Sequence, residues 1–318
     1  MIAHANHMLK DLLGRGVVIL TLLIPLLLGT VTAGASGTLD PDAFNLNGQG
    51  LLWKIEKDGS PGPSYLLGTM HSTEDQVVAV AQAVRPLVAR VKTLIVEVED
   101  DPSLKAQVFQ SMVLSDGRTL QQILPPDLFQ SVGALSRSYG LSPEQLNGLK
   151  PWAMLALFAA PPSEAARVSV GRLNLDQRLQ IEARQSGVGI NSLETPREQL
   201  SVFEDLSDED VIALLGELPS NPDDYEIRFA IQVRNYLLGD LAGMYRAMLA
   251  DMENIPPSTF EPFMDSLIHE RNTRMAQRAM RFLESQEVLI AVGALHLPGE
   301  TGLVEQFRAL GYTVTPLQ

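Results

Sequence analysis

The chain has 318 residues, 45% of them apolar, with a net charge of −14 and a pI near 4.8. That length suits one large domain or two modest ones with a real core, and the acidic balance excludes the basic footprint that nucleic acid requires. Cysteine is absent, which removes disulfides, zinc–thiolate sites, iron–sulfur clusters and thiol nucleophiles; any metal must be held by His, carboxylate or backbone oxygen.

Lys10 and Arg15 precede an apolar run over 17–28, and small residues follow through Ala33-Gly34-Ala35. A charged start, a short apolar stretch and an Ala-x-Ala site predict a signal peptide over 1–35, and hence a periplasmic or secreted protein. The run is shorter than the roughly 20 residues of a membrane span, so a membrane enters only if this segment stays uncleaved as an N-terminal anchor. Residues 36–50, rich in Gly, Asn, Asp and Pro, read as a flexible leader. The domain proper is expected over 51–318.

Within it, 51–56 reads as a strand, Asp58-Gly59-Ser60-Pro61-Gly62-Pro63 as a turn, and 64–67 as the second strand of a hairpin. Gly68 then lets the backbone leave the strand, and His71 follows three residues on. Ser72 and Thr73 are suitable N-caps for a helix over 74–89, and 93–99 reads as the next strand. That order makes a βαβ unit with a parallel, right-handed crossover. From 102 to 285 the signals are mostly helical, and Trp152, Met154, Leu155 and Phe158 at helical spacing read as core. A strand over 189–194 ends at Glu194, a helix is predicted over 224–250, and the acidic stretch 204–210 reads as a solvated helix start. The strand over 288–292, Gly293, His296, a helix from Pro298 to about Leu310, Gly311 and a strand at 312–315 form a second βαβ unit. The predicted fold is α/β: a mixed or mostly parallel sheet from two βαβ-type halves with a large helical middle.

The two Gly-x-x-His loops are the focus. With 24 glycines and 5 histidines in the chain, chance placement gives about 0.4 such pairs, yet two occur and both follow strand-like runs. Ligands of open α/β sheets bind at the carboxyl ends of the strands, where both loops would emerge. Alternation on 93–99 puts Ile95, Glu97 and Glu99 on one face, and Glu97 is the stronger functional candidate because a buried carboxylate needs a partner or a metal. Arg271 falls inside the apolar stripe of Phe260, Phe263, Met264, Leu267, Ile268 and Met275. Its partner is Glu97, Glu194 or an anionic group of a substrate. The His269-Glu270 pair lacks the second histidine of a zincin, since position 273 is threonine. Two histidines and a carboxylate can hold a divalent metal with open positions for water and substrate. In that arrangement His71, His296 and Glu97 are ligands, or Glu97 is the general base. Arg271 and Asn272 stabilise and orient an oxyanion, and Gly68, Gly293, Glu99 and Glu194 support them.

Eight ordered tags carry a family resemblance. The first four are Gly68-Thr69-Met70-His71, Val96-Glu97-Val98-Glu99, Lys150-Pro151-Trp152 and Leu175-Asp176. Then come Leu193-Glu194-Thr195, Gly239-Asp240, Arg271-Asn272 and Gly293-Ala294-Leu295-His296-Leu297. With them the chain resembles the TraB/GumN family, related to Tiki-type metalloproteases and more distantly to ChaN-like haem-binding lipoproteins, over roughly 51–317. The resemblance implies a sheet of two related halves with His71, Glu97, Arg271 and His296 at the site. It also implies a metal-dependent protease using manganese or cobalt; the residues alone do not choose between these and zinc. Two departures concern the substrate wall: the lead-in to Asp176 is blurred, and Tyr236 stands where a tryptophan often precedes the Gly-Asp pair. The leading expectation is a secreted metal-dependent hydrolase acting on a peptide or small molecule. The alternatives are a non-catalytic binder of haem or another small ligand in the same crevice, and an interaction module whose histidines only buttress turns.

Overall fold

Six short runs form one sheet: β1 (Leu52–Glu56), β2 (Ser64–Thr69), β3 (Thr93–Val96), β4 (Gly189–Ser192), β5 (Val288–Gly293) and β6 (Thr313–Leu317). The computed structural model describes residues 47–219 and 221–317, so the expected signal peptide over 1–35 and most of the expected leader lie outside the described residues. The strand order is β4-β3-β5-β2-β1-β6. β4, β3, β5 and β2 are mutually parallel, while β1 pairs antiparallel with both β2 and β6. Every residue of β2 and β3 is buried, as expected where helices cover both faces of a parallel sheet. The predicted class, a mostly parallel α/β sheet with a large helical middle, is the one the chain adopts.

The two βαβ arms interleave. β5, from the end of the chain, lies between β2 and β3 and pairs parallel with each. Between β3 and β5 the chain is helical apart from β4, with Trp152, Met154, Leu155 and Phe158 in the core as expected. The helix expected over 224–250 is two helices, Pro222–Leu237 and Leu241–Asp251. Gly239, at φ +67°, breaks them apart, and the Asp240 side chain caps the second by accepting from the Gly243 amide. Residues 47–50, the last of the expected flexible leader, are tied to this break: the Gly50 amide donates to Gly239 O (2.9 Å) and the Ala242 amide to Gly48 O (3.1 Å).

Other element ends differ in ways that bear on the site. The strand expected to run to Glu99 stops at Val96, so Glu97 lies just past its carboxyl end, and the alternation that grouped Glu97 with Glu99 does not hold there. Ser72 and Thr73 precede a helix that spans Asp75–Arg90 with Glu74 at its cap position. The helix after His296 starts at Leu303, and Ala294–His296 forms a 3-10 turn. The segment bearing Arg271 is interrupted by a π turn, Asp265–His269, between the helices Pro257–Met264 and Glu270–Leu283. Among the described residues no helix is long and apolar enough to cross a membrane.

Candidate active site at the carboxyl rim of the sheet

The strand order brings the two Gly-x-x-His loops together. β2 and β5 are parallel neighbours, with Gly68 opposite Val292 and Thr69 opposite Gly293, so both loops leave the sheet at the same rim. The fit is tight at both glycines. A Cβ on Gly68 would lie 3.0 Å from Ala294 Cα, and one on Gly293 would lie 3.2 Å from Glu97 Oε1. β3 flanks β5 on its other side and delivers Glu97 to the same rim.

Glu97 is buried and hydrogen-bonded at both oxygens. Its Oε1 accepts the Gly293 amide (2.6 Å), and its Oε2 accepts Arg271 Nη2 (2.7 Å) and Gln199 Nε2 (2.8 Å). Burial is the largest single effect and would raise its pKa, but the Arg271 guanidinium, the two histidines and the Gly293 amide together outweigh it and hold the carboxyl well below the usual range. Arg271 is fully buried as well. Its Nε and Nη2 donate to Glu194, Nη2 also reaches Glu97, and Nη1 donates to Leu267 O within the π turn (3.3 Å). A guanidinium between two carboxylates satisfies the rule that buried charges are paired. Arg274 Nη2 adds a contact to Glu194 (3.2 Å), and Arg278 pins the adjoining loop through Leu193 O and Glu198.

The two histidines are each gripped at Nδ1. His71 Nδ1 meets Asp176 Oδ2 at 2.7 Å, and Asp176 Oδ1 accepts the Thr69 hydroxyl at 2.7 Å. Burial lowers the His71 pKa, yet the charge and hydrogen bond of Asp176, with Glu97 adding to them, outweigh it, and the net direction is up. His296 Nδ1 meets Asn272 Oδ1 at 2.6 Å, while Asn272 Nδ2 donates to Thr301 O at 2.9 Å. Because the amide oxygen of Asn272 can only accept, Nδ1 of His296 carries the proton and Nε2 presents a lone pair. Burial, reinforced by Arg271, pushes the His296 pKa down to about 3, so the ring is neutral. His296 is wholly buried, and its Nε2 has no hydrogen-bond partner although it lies 3.8 Å from Glu97 Oε1. His71 is near enough for its charge to bear on the ionisation of both Glu97 and His296.

A histidine gripped at one ring nitrogen and open at the other is how imidazole is oriented toward a metal. Nε2 of His296 and Oε1 of Glu97 are suitable N and O donors for a divalent ion, and His71 is the third candidate. Among the described residues, no three His, Asp or Glu side chains stand close enough together to cage an ion as they are.

The structure thus unites His71, His296, Glu97, Arg271, Asn272, Glu194, Gly68 and Gly293. Glu99 stands apart: it is exposed and paired with Arg184 (3.1 Å). The oxyanion roles expected of Arg271 and Asn272 do not match their engagements, because the first is spent on two carboxylates and a carbonyl and the second on His296 and Thr301. Sequence reasoning missed Asp176 and Gln199 as site residues. Leu175-Asp176 was visible as a tag, and the Asn174 capping box that opens its helix marks where that carboxylate enters the core. Gln199 carried no signal. Tyr236 is no substrate wall: it is fully buried and its hydroxyl donates to Gly68 O (2.9 Å), bracing the first glycine.

A family model described as TraB/PrgY/gumN matches residues 51–316. The chain is 26% identical to the metalloprotease TIKI1 of Danio rerio over 311 residues, covering 83% of this chain and 62% of that protein. It is 25% identical to a metalloprotease TIKI homolog of Amphimedon queenslandica, covering 94% and 67%. It is also 23% identical to YbaP of Shigella flexneri, covering 83% and 95%. The matches thus span about three fifths of the length of the Danio relatives.

Proposed function

Because this chain belongs to the TraB/PrgY/gumN family, we propose that it is a metal-dependent hydrolase acting on peptide bonds, exported by its N-terminal segment to the periplasm or beyond. The observation that carries this reading is the bare Nε2 of His296, buried, neutral and 3.8 Å from an ionised carboxylate oxygen. An unsatisfied buried nitrogen costs roughly 1–3 kcal/mol, and a bound ion would relieve that cost. Relatives named metalloproteases agree with a metal there.

His296, Glu97 and His71 would hold the ion, and manganese, cobalt and zinc all suit this N/O donor set. When bound, it would supply a Lewis acid for a peptide carbonyl and acidify a bound water. The chain's own residues then have distinct tasks. Arg271 and the Gly293 amide keep Glu97 ionised, which suits a ligand and weakens it as a proton acceptor at neutral pH. Asn272 fixes the tautomer of His296 by accepting its Nδ1 proton, and Asp176 does the same for His71. Glu194 balances Arg271, so the guanidinium neither draws Glu97 away nor lies uncompensated in the core.

Elemental analysis of protein purified without a histidine tag tests the reading. About one divalent ion per chain is expected, lost on chelation and in His296→Ala, retained in Glu99→Gln, and required for cleavage of a peptide library. Metal-free protein that also fails to bind added Mn2+, Co2+ or Zn2+ and cleaves nothing would overturn it. A Soret band or another tightly held ligand without turnover would favour the binding-protein alternative.

A further inference from the structure

The loop that follows His71 is fastened by a buried carboxylate from the helical middle of the chain. Glu164, on the helix Pro162–Ser169, is 1% exposed. Its Oε1 accepts the Ser72 hydroxyl (2.8 Å), its Oε2 accepts the Thr73 hydroxyl (2.7 Å), and the Thr73 amide reaches both oxygens (3.2 and 3.0 Å). Arg167, one turn along, donates Nη2 to Glu164 Oε1 (2.9 Å) and Nε to the Thr73 hydroxyl (2.8 Å). Ser72 and Thr73 are themselves 0% and 1% exposed. The Ser72 hydroxyl oxygen in turn accepts the Glu74 amide (3.1 Å) ahead of the next helix.

Burying a carboxylate costs several kcal/mol unless its lone pairs are filled, and here two hydroxyls, one amide and a guanidinium fill them. A surface residue or a water could cap a loop at less expense. The position of this carboxylate explains its use. Asp176 grips Thr69 and His71 from one side, while Glu164 grips Ser72 and Thr73 from the other. Both carboxylates come from the helical middle of the chain and bracket a single histidine. We propose that Glu164 is a positioning residue for His71: through Ser72 and Thr73 it fixes the loop so that the ring presents its free nitrogen to the rim shared with Glu97 and His296. This deepens the reading of that rim as a metal site and rests on it for function, though not for geometry.

The test is Glu164→Gln in the full chain, which keeps shape and removes the charge. The ring nitrogens of His71 are followed by 1H–15N NMR, with His269 as the internal reference, and Co2+ affinity is measured by titration. The expected result is a shifted His71 signal with His269 unmoved, and a loss of Co2+ affinity of about tenfold, the low end of the range for outer-shell partners of metal ligands. In a His71→Ala background the same substitution should cost no further affinity, because effects that act through one residue do not add. Ser72→Ala, which removes one donor to Glu164 together with the acceptor of the Glu74 amide, should move His71 in the same direction by less, and it serves if Glu164→Gln does not fold. A lowered melting temperature with the His71 signal unmoved would overturn the proposal, as would an additive loss in the His71→Ala background. Should the wild type bind no Co2+, the metal reading fails while the NMR signal still decides the role of Glu164.

Discussion

At the scale of single residues, the Glu97–Arg271–Glu194 cluster decides how the site tolerates change. Arg271→Met would leave two carboxylates buried without their counter-ion, and removing one partner of a buried pair costs about 3–5 kcal/mol. Urea unfolding should show a loss of that size. Arg274→Ala should lose under about 1 kcal/mol, because its side chain is 31% exposed and touches Glu194 only from the edge. Near-equal losses would mean that the guanidinium of Arg271 is not what compensates the pair. Three site residues, Arg271, His71 and His296, were legible in the sequence for a definite reason: an arginine inside an apolar stripe and histidines after strand-ending glycines both break the local pattern. Asp176 was harder to find because an acidic residue in the first turn of a helix is ordinary. Its special role comes from meeting His71, 105 residues away. Gln199 lies among plain helical residues and becomes a site residue only through its bond to Glu97.

At the scale of elements, loop ends and helix breaks set the geometry. Gly68→Ala would drive a Cβ to 3.0 Å from the Ala294 backbone, where nothing flexible can yield. Overpacking of this kind costs about 1–3 kcal/mol, and the expected result is a urea midpoint lowered accordingly, together with weakened metal binding as the two loops part. An unchanged midpoint would show that the loops are not in contact. The helix Leu241–Asp251 carries a separate prediction. Asp251 at its end is buried, and its Oδ2 has no hydrogen-bond partner. Burial raises its pKa to about 8, against the pull of Arg228. With the folded value above the unfolded one, the folded protein holds a proton that the unfolded chain has released from about pH 4 upward. Stability should therefore fall as pH rises from about 4 toward 8. Thermal melts between pH 5 and 8 should show this slope in the wild type and a flatter one in Asp251→Asn; equal slopes would mean that the carboxyl titrates normally. Helix existence was legible from periodicity, while the π turn at Asp265–His269 was not, because inserting one residue into a turn leaves the apolar stripe nearly intact. The break before Asp240 was visible as a glycine, but one glycine inside a helical pattern does not by itself announce a new helix.

At the scale of the molecule, the sequence reported which runs were strands and left their order open. Each apolar run records its own burial and says nothing of its neighbour. That order is what makes the site, because β5 must slide between β2 and β3 before His296 can meet Glu97 and His71. Until the last part of the chain arrives, β2 and β3 therefore have no strand between them to pair with. Contacts of such sequence separation form late, since the loop entropy is lost before they reward it. A chain ending at Glu287 would keep β1 to β4 and every helix before β5, yet lose both pairings that join β2 to β3. It should retain helical far-UV circular dichroism but show no sharp thermal transition and no fixed near-UV signal from Trp53 and Trp152. Adding residues 288–318 as a separate peptide should restore a cooperative transition if insertion of β5 is the step that closes the sheet. A truncated chain that melts as sharply as the full one would mean that β2 and β3 find each other unaided, and the candidate site would then be an addition to a finished fold instead of the seam that completes it.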